Sequence, residues 1–418
     1  MPSVPPQLKP YAGKTPANAS KPAVAPIVAA NPSRAIDLVI CLDVSGSMDG
    51  LLNAARQNLW AVVNEMATLQ PAPELRVALL TYGCPAYGAE SGFVAIQTGL
   101  TNDLDTVSQK LFALSTNGGD EFVARVVKRA LDDLEWSKDP QALKLIFVAG
   151  NEAATQDPML DAMAMSKAAI EREIIVNTIY CGEPGKPEAE GWRNVAKLAD
   201  GKFASIEQDT AVVIETPFDK QLGELSLALN TTYMPYGQNR TVWAANQVAQ
   251  DNNAGTLNVA AVAQRCQTKA SGLYYNTAFD LVDACKQAEF KLADVKKEDL
   301  AEDLRALSVG DLQKRIDEMG KKRGELQKQV EALGKQRDAF VEAERKKLGE
   351  AGDKLFDKVM LDSVRAQAAS RGFTRKVEPK PVVEVAPAAE KPAQEQVEEQ
   401  VQEQVEKPIG TPAGGGHE

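Results

Sequence analysis

Between residues 36 and 206 the sequence switches repeatedly between two hydrophobic periods. IDLVICLD (36–43), LRVALLTY (75–82), FVAIQ (93–97), LKLIFVA (143–149), IIVNTIYC (174–181) and KFASI (202–206) read as strands. The longer ones are continuous apolar runs, the signature of strands buried on both faces. Between them, residues 51–69, 104–114, 122–134, 161–173 and 191–200 carry apolar residues at helical spacing. Strands alternating with helices predict a doubly wound α/β fold with a mostly parallel sheet.

Composition narrows what such a fold can do. The chain of 418 residues has a formal net charge of −11. That balance argues against nucleic acid or anionic lipid as a partner, since both need a basic face. No window is long and apolar enough for a membrane span. Residues 1–34 read as a Pro/Ala-rich disordered linker with no visible signal peptide, because prolines interrupt every apolar stretch. The sole histidine, His417, excludes Ser-His-Asp or Cys-His catalysis and His-based zinc sites. Five cysteines without metal-type spacing make a disulfide framework an unexpected outcome; the one pairing the sequence offers is Cys266 with Cys285.

The alternation marks a domain over residues 35–209. Residues 210–290 read as a helical annex, including a helix through SGLYYNTAFDLVDACK. Residues 291–370 read as a long helical, coiled-coil-like segment. Its seam runs Leu312, Ile316, Met319, Arg323, Leu326, Val330, Leu333, Arg337, Phe340. Two readings of residues 312–340 stand side by side: self-association through that helix, or packing on its own chain. Residues 371–418 are Pro/Glu/Gln-rich and read as a disordered tail.

Gly118-Gly119-Asp120-Glu121-Phe122 spells GGDEF, the motif that names the bacterial diguanylate cyclases. Those enzymes place it on a hairpin, which requires period-two alternation afterwards. Here Val123, Val126, Val127, Ala130, Leu131 and Leu134 share one helical face. The match therefore opens a helix, where Asp120 reads either as an N-cap or as a ligand.

The first strand ends in CLDVSGSMDG, with Asp43, Ser45 and Ser47 spaced D-x-S-x-S. Three hard oxygen donors on alternate positions suit Mg²⁺, Mn²⁺ or Ca²⁺. In an open parallel sheet, ligands bind beyond the carboxyl ends of the strands, where strand order reverses. The bland alternative is a Ser/Gly turn with a helix cap at Asp49.

The strand–DVSGSM–helix phrase resembles the von Willebrand factor type A (VWA) domain and its metal-ion-dependent adhesion site, over roughly residues 36–206. LRVALLTYG, TNGGDE, FVAGNEAATQDP and NTIYCG are similar to stand-alone bacterial VWA proteins. The resemblance implies an antiparallel edge strand at residues 93–97 and a divalent cation, usually Mg²⁺, held by three loops. The first loop matches at Asp43, Ser45 and Ser47. In the second, Asp120 stands where the family has Thr. In the third, the expected Asp aligns with Gly150, leaving Asn151 or Glu152 to complete the shell.

The resulting expectation is a non-enzymatic, metal-dependent protein-binding module whose partner offers an acidic side chain. Periplasmic or cell-envelope placement follows from the resemblance alone. Two other readings stay open: a scaffold with a vestigial metal site, and a metal-dependent phosphotransferase or phosphatase using Asp43. The last lacks the second Asp that such phosphatases use, since Ser45 holds that position.

Overall fold

The structure is a computed structural model that describes residues 34–206, 213–348 and 356–375. The masses of Val, Ile and Leu seen in the sequence form a six-stranded sheet. Strands β1 (Ala35–Asp43), β3 (Glu74–Tyr82), β4 (Val94–Thr101), β5 (Leu143–Gly150), β6 (Ile174–Cys181) and β7 (Phe203–Ile206) lie in the order β4-β3-β1-β5-β6-β7. All neighbours are parallel except β4, which runs antiparallel to β3. The expected antiparallel edge is present and runs on to Thr101.

β1 is hydrogen-bonded to β3 on one side and to β5 on the other. The chain builds outward from β1 through β3 to β4, then returns to β5 and builds the other half. Strand order therefore reverses beside β1, and the carboxyl end of β1 is the place where open α/β sheets bind ligands.

Residues along β1 point alternately to two layers. Ile36, Leu38, Ile40 and Leu42 pack beneath α1 (Asp49–Ala67) and α2 (Leu104–Phe112). Val39 and Cys41 face α3 (Val123–Asp133), α4 (Ala162–Glu171) and α5 (Glu188–Leu198). Each such aliphatic burial stabilises by about 1.5–3 kcal/mol. The charge buried within β1, Asp37, is matched by Arg76 at 2.8 and 2.9 Å and by the Ser137 amide at 2.7 Å.

The annex holds α6 (Asp219–Asn230), α7 (Arg240–Leu257), α8 (Val259–Ala270) and a single turn, α9 (Leu281–Ala284). The helix expected through residues 271–286 shrinks to that turn. Asp280 explains why: its carboxylate accepts from the amides of Met234 and Asp283 and from Arg323. These tertiary bonds and the Pro235–Asp280 bridge hold the preceding residues out of a helix. Cys266 and Cys285 are both free, and they belong to separate apolar clusters.

Residues 291–308 are not part of the long helix; they contain short 3₁₀ turns. α10 (Val309–Leu348) then runs 40 residues. Its seam packs on its own chain: Leu312 and Ile316 join Met234, Leu281 and Val282, while Val330 joins Leu222, Leu229 and Cys266. The two seam arginines are ion-paired. Arg323 meets Asp280 at 2.7 Å and Asp283 at 3.0 Å, and Arg337 meets Asp219 at 2.7 Å. Of the two readings of residues 312–340, packing on its own chain is present in the structure: Leu312, Ile316, Arg323, Val330 and Arg337 are buried.

After α10, helix α11 (Phe356–Ser370) returns to the sheet, burying Met360, Leu361 and Val364 in the α1 layer. A short strand β8 (Thr374–Arg375) pairs antiparallel with β2 (Leu69–Gln70). The expected disordered linker, residues 1–34, falls outside the described residues but for Arg34, and the tail does from residue 376 onward.

Candidate functional site

β1 ends at Asp43, and the next residues turn across the carboxyl edge of the sheet at the switch point. Backbone bonds fix that turn: Val44 N–H donates to Tyr82 O at 2.9 Å, and Asn117 N–H donates to Val44 O at 2.8 Å. The second bond ties the loop before α3 to the loop after β1. Close approach explains the second glycine of GGDEF. A Cβ at Gly119 would lie 2.6 Å from Pro85 Cδ and 2.7 Å from Gly83 O.

Asp43 is fully buried and Ser45 nearly so. Asp43 Oδ1 accepts from the Ser45 amide at 2.8 Å, but its Oδ2 accepts no hydrogen bond. Ser45 Oγ lies beside the carboxylates of Asp43 and Glu121 without a hydrogen bond of normal geometry to either. Ser47 is exposed and accepts from Asn151 Nδ2 at 3.1 Å, leaving Asn151 Oδ1 buried and unpartnered. Buried polar atoms are nearly always satisfied, so three orphaned oxygens on these residues point to something they are meant to hold.

Burial pushes the Asp43 carboxyl up to about 7, opposed by the Ser45 amide bond and the nearby Ser45 hydroxyl and reinforced by the charges of Glu121 and Glu152. Burial raises Glu121 as well, with Glu152 adding to the effect. Glu152 itself is exposed, and its backbone carbonyl accepts from Trp192 Nε1 at 2.7 Å.

Asp120 is not brought to this cluster. It is exposed, and its charge acts on Arg125, which is already paired with Asp157 at 2.7 and 3.0 Å. Nor is it an N-cap: Phe122 holds that position of α3, with no side-chain cap. The carboxylate that the second loop turns toward Asp43 belongs to Glu121, which the sequence reading passed over. Asp49 is no cap of α1 either; it accepts from Thr116 Oγ1 at 2.9 Å.

The structure also accounts for Gly150. A Cβ there would collide with the Tyr82 hydroxyl and fall 3.0 Å from Asp43 Oδ2 and 3.2 Å from Trp192. The Tyr82 hydroxyl is anchored by donating to Ala149 O at 2.9 Å. The place where the third-loop carboxylate implied by the resemblance would begin is filled by an aromatic side chain.

Among the described residues, no three His, Cys, Asp or Glu side chains cluster closely enough to hold an ion by themselves. The donors at the rim are instead mixed: carboxylate, hydroxyl and amide oxygens. That set fits a hard divalent cation and does not fit a soft one.

The sheet order and this rim define a doubly wound, VWA-like α/β fold with a hard-oxygen cluster at its switch point. No family model matches the sequence, and no curated protein does. Solved structures with a similar fold include a conserved hypothetical protein, BatB, from Bacteroides thetaiotaomicron: 17% identity over 41% of this chain and 90% of that one, TM-score 0.32. The SpRpn10 VWA domain matches at 14% identity over 43% of this chain and 98% of its own, TM-score 0.33. Proximal thread matrix protein 1 from the mussel byssus, with a zinc-occupied MIDAS motif, matches at 13% over 43% of each chain, TM-score 0.32.

Proposed function

We propose that the chain is a metal-dependent protein-binding module of the VWA type. Asp43, Ser45 and Ser47 would hold a divalent cation, with Mg²⁺ the first choice and Mn²⁺ or Ca²⁺ as alternatives, and Asn151 and Glu152 would complete the rim. The observation that carries this reading is the orphaned pair, Asp43 Oδ2 and Ser45 Oγ, buried at the switch point. A bound cation supplies a positive centre with a coordination position for an oxygen from outside the chain. The partner class is a protein offering an acidic side chain.

The chain's own residues have separable tasks. Asp43 supplies a fixed charge, because its position at the end of β1 is set by the sheet and its Oδ1 is tied to the Ser45 amide. Asn151 orients Ser47 through the 3.1 Å bond. Trp192, through Glu152 O, holds the third loop in place. The reading is non-enzymatic: Ser45 stands where a phosphatase of the Asp-nucleophile type needs a second Asp.

One observation favours a second reading, a scaffold with a vestigial site. Tyr82 fills the space beside Gly150, so the third loop cannot present a carboxylate from that position. Affinity capture with Mg²⁺ or with a chelator separates the two. The binding module loses its partners in chelator and in Asp43→Ala, with the circular dichroism spectrum unchanged. Identical capture in all three conditions would leave only the scaffold.

A further inference from the structure

Gly83 follows β3 with a φ of 82°, a backbone region that side chains disfavour. A Cβ there would lie 2.8 Å from Asp43 Oδ1, 3.1 Å from Glu121 Cγ and 3.5 Å from Ser45 Cβ. The bare Cα of Gly83 thus marks a point on which the first and second loops converge. Glu121 comes to it from the second loop, while Asp43 Oδ1 and the Ser45 side chain come from the first; the same two residues carry the unpartnered Asp43 Oδ2 and Ser45 Oγ.

Glu121 is also held in place from the third loop. Gln156 Nε2 donates to Glu121 O at 2.7 Å and approaches Oε2 at 3.4 Å. Its carboxylate is half-buried, raised by burial, and lies beside Ser45 Oγ. Among the described residues it forms no ion pair with a Lys or Arg, so its charge is not spent on a structural bridge. Asp120, by contrast, is exposed.

We propose that Glu121 is this chain's own carboxylate for the cation, standing in the approach that a partner's acidic side chain would use. The inference rests on the cation-site reading above and adds a regulatory element to it. With Asp43 and Glu121 both ionised, a divalent ion carries no residual charge, and an incoming carboxylate must displace Glu121 to bind. Holding the ion and capturing an acidic partner are therefore in competition at one residue. A site whose second loop supplies a neutral hydroxyl has no such competition.

The test is calorimetric titration of the full chain with Mn²⁺, in chloride and again with added acetate. Wild type, Glu121→Ala, Glu121→Gln and Asp120→Ala are compared. Both Glu121 variants should bind Mn²⁺ about tenfold or more weakly in chloride. Acetate should restore affinity to Glu121→Ala, whose side chain leaves room for it, and should leave wild type unchanged. Asp120→Ala should stay within about twofold, as expected of an exposed and screened charge. Glu121→Gln keeps the shape and the bond to Gln156, so its loss reports charge and not misfolding. The proposal is overturned if both Glu121 variants match wild type, or if both lose affinity and acetate does not restore Glu121→Ala. Absence of Mn²⁺ uptake by wild type is a different result, and it removes the cation-site reading itself.

Discussion

The annex and the rim of the sheet both bury charge, and they treat it in opposite ways. In the annex, Arg265 meets Asp105 at 2.8 Å and Asp251 at 2.6 Å, and Lys269 meets Asp251 at 2.9 Å and Asn230 at 2.6 Å. Arg323 and Arg337 likewise have carboxylate partners. At the rim, Asp43 is as deeply buried, yet one of its oxygens accepts no hydrogen bond. Matched burial fixes how helices sit on one another. Unmatched burial costs stability and persists where a ligand makes up the difference.

The comparison breaks most visibly at Arg323. Replacing it with Met leaves Asp280 buried without its cation and Asp283 with only the half-exposed Lys286 as partner. That should cost about 3–5 kcal/mol, measured by urea unfolding. An unchanged midpoint would mean the annex does not depend on its ion pairs.

Removing the rim charge should act in the other direction. The Asp43 carboxyl is raised from 3.8 to about 7, so between those values the folded state keeps a proton that the unfolded state releases. Its contribution to stability is fully present below 3.8 and is lost as pH rises through about 7. In chelator, the unfolding free energy should therefore fall by up to about 4 kcal/mol across that window. Asp43→Asn should flatten the decline and unfold later than wild type at pH 8. If the two proteins show the same pH profile, Asp43 is not the strained group described here.

A smaller effect sharpens the contrast within the rim. Gly150→Asp introduces the residue that the VWA resemblance implies there but drives its side chain into Tyr82. It should destabilise by about 1–3 kcal/mol through overpacking and should not strengthen Mn²⁺ binding. Tighter Mn²⁺ binding in this variant would show that Tyr82 moves aside easily.

Much of the sheet is legible because its strands are buried on both faces, which forces continuous apolar runs such as residues 36–43. The position of Asp43 follows from the same reasoning, since a polar residue ending such a run lies at the strand's carboxyl end. The choice between Asp120 and Glu121 was not legible. Two consecutive carboxylates point in different directions, and which one turns inward depends on how Gly119 crosses Gly83 and Pro85. Tyr82 was hidden for a related reason: it reads as the last residue of a strand, and only the fold carries its hydroxyl to Gly150. The α10 seam announced its periodicity but not its partner. Its arginines look like flaws in a coiled coil until Asp219, Asp280 and Asp283 are seen opposite them.

The central claim is that the orphaned oxygens at the end of β1 belong to a cation. Trp192 lies 3.2 Å from the Cβ position of Gly150 and is bonded to the third loop, so its fluorescence reports on the rim. Titration of the folded chain with Mn²⁺ should give a saturable change corresponding to one ion per chain, lost in Asp43→Ala. A flat titration of well-folded wild-type protein with Mn²⁺, Mg²⁺ and Ca²⁺ in turn would contradict it.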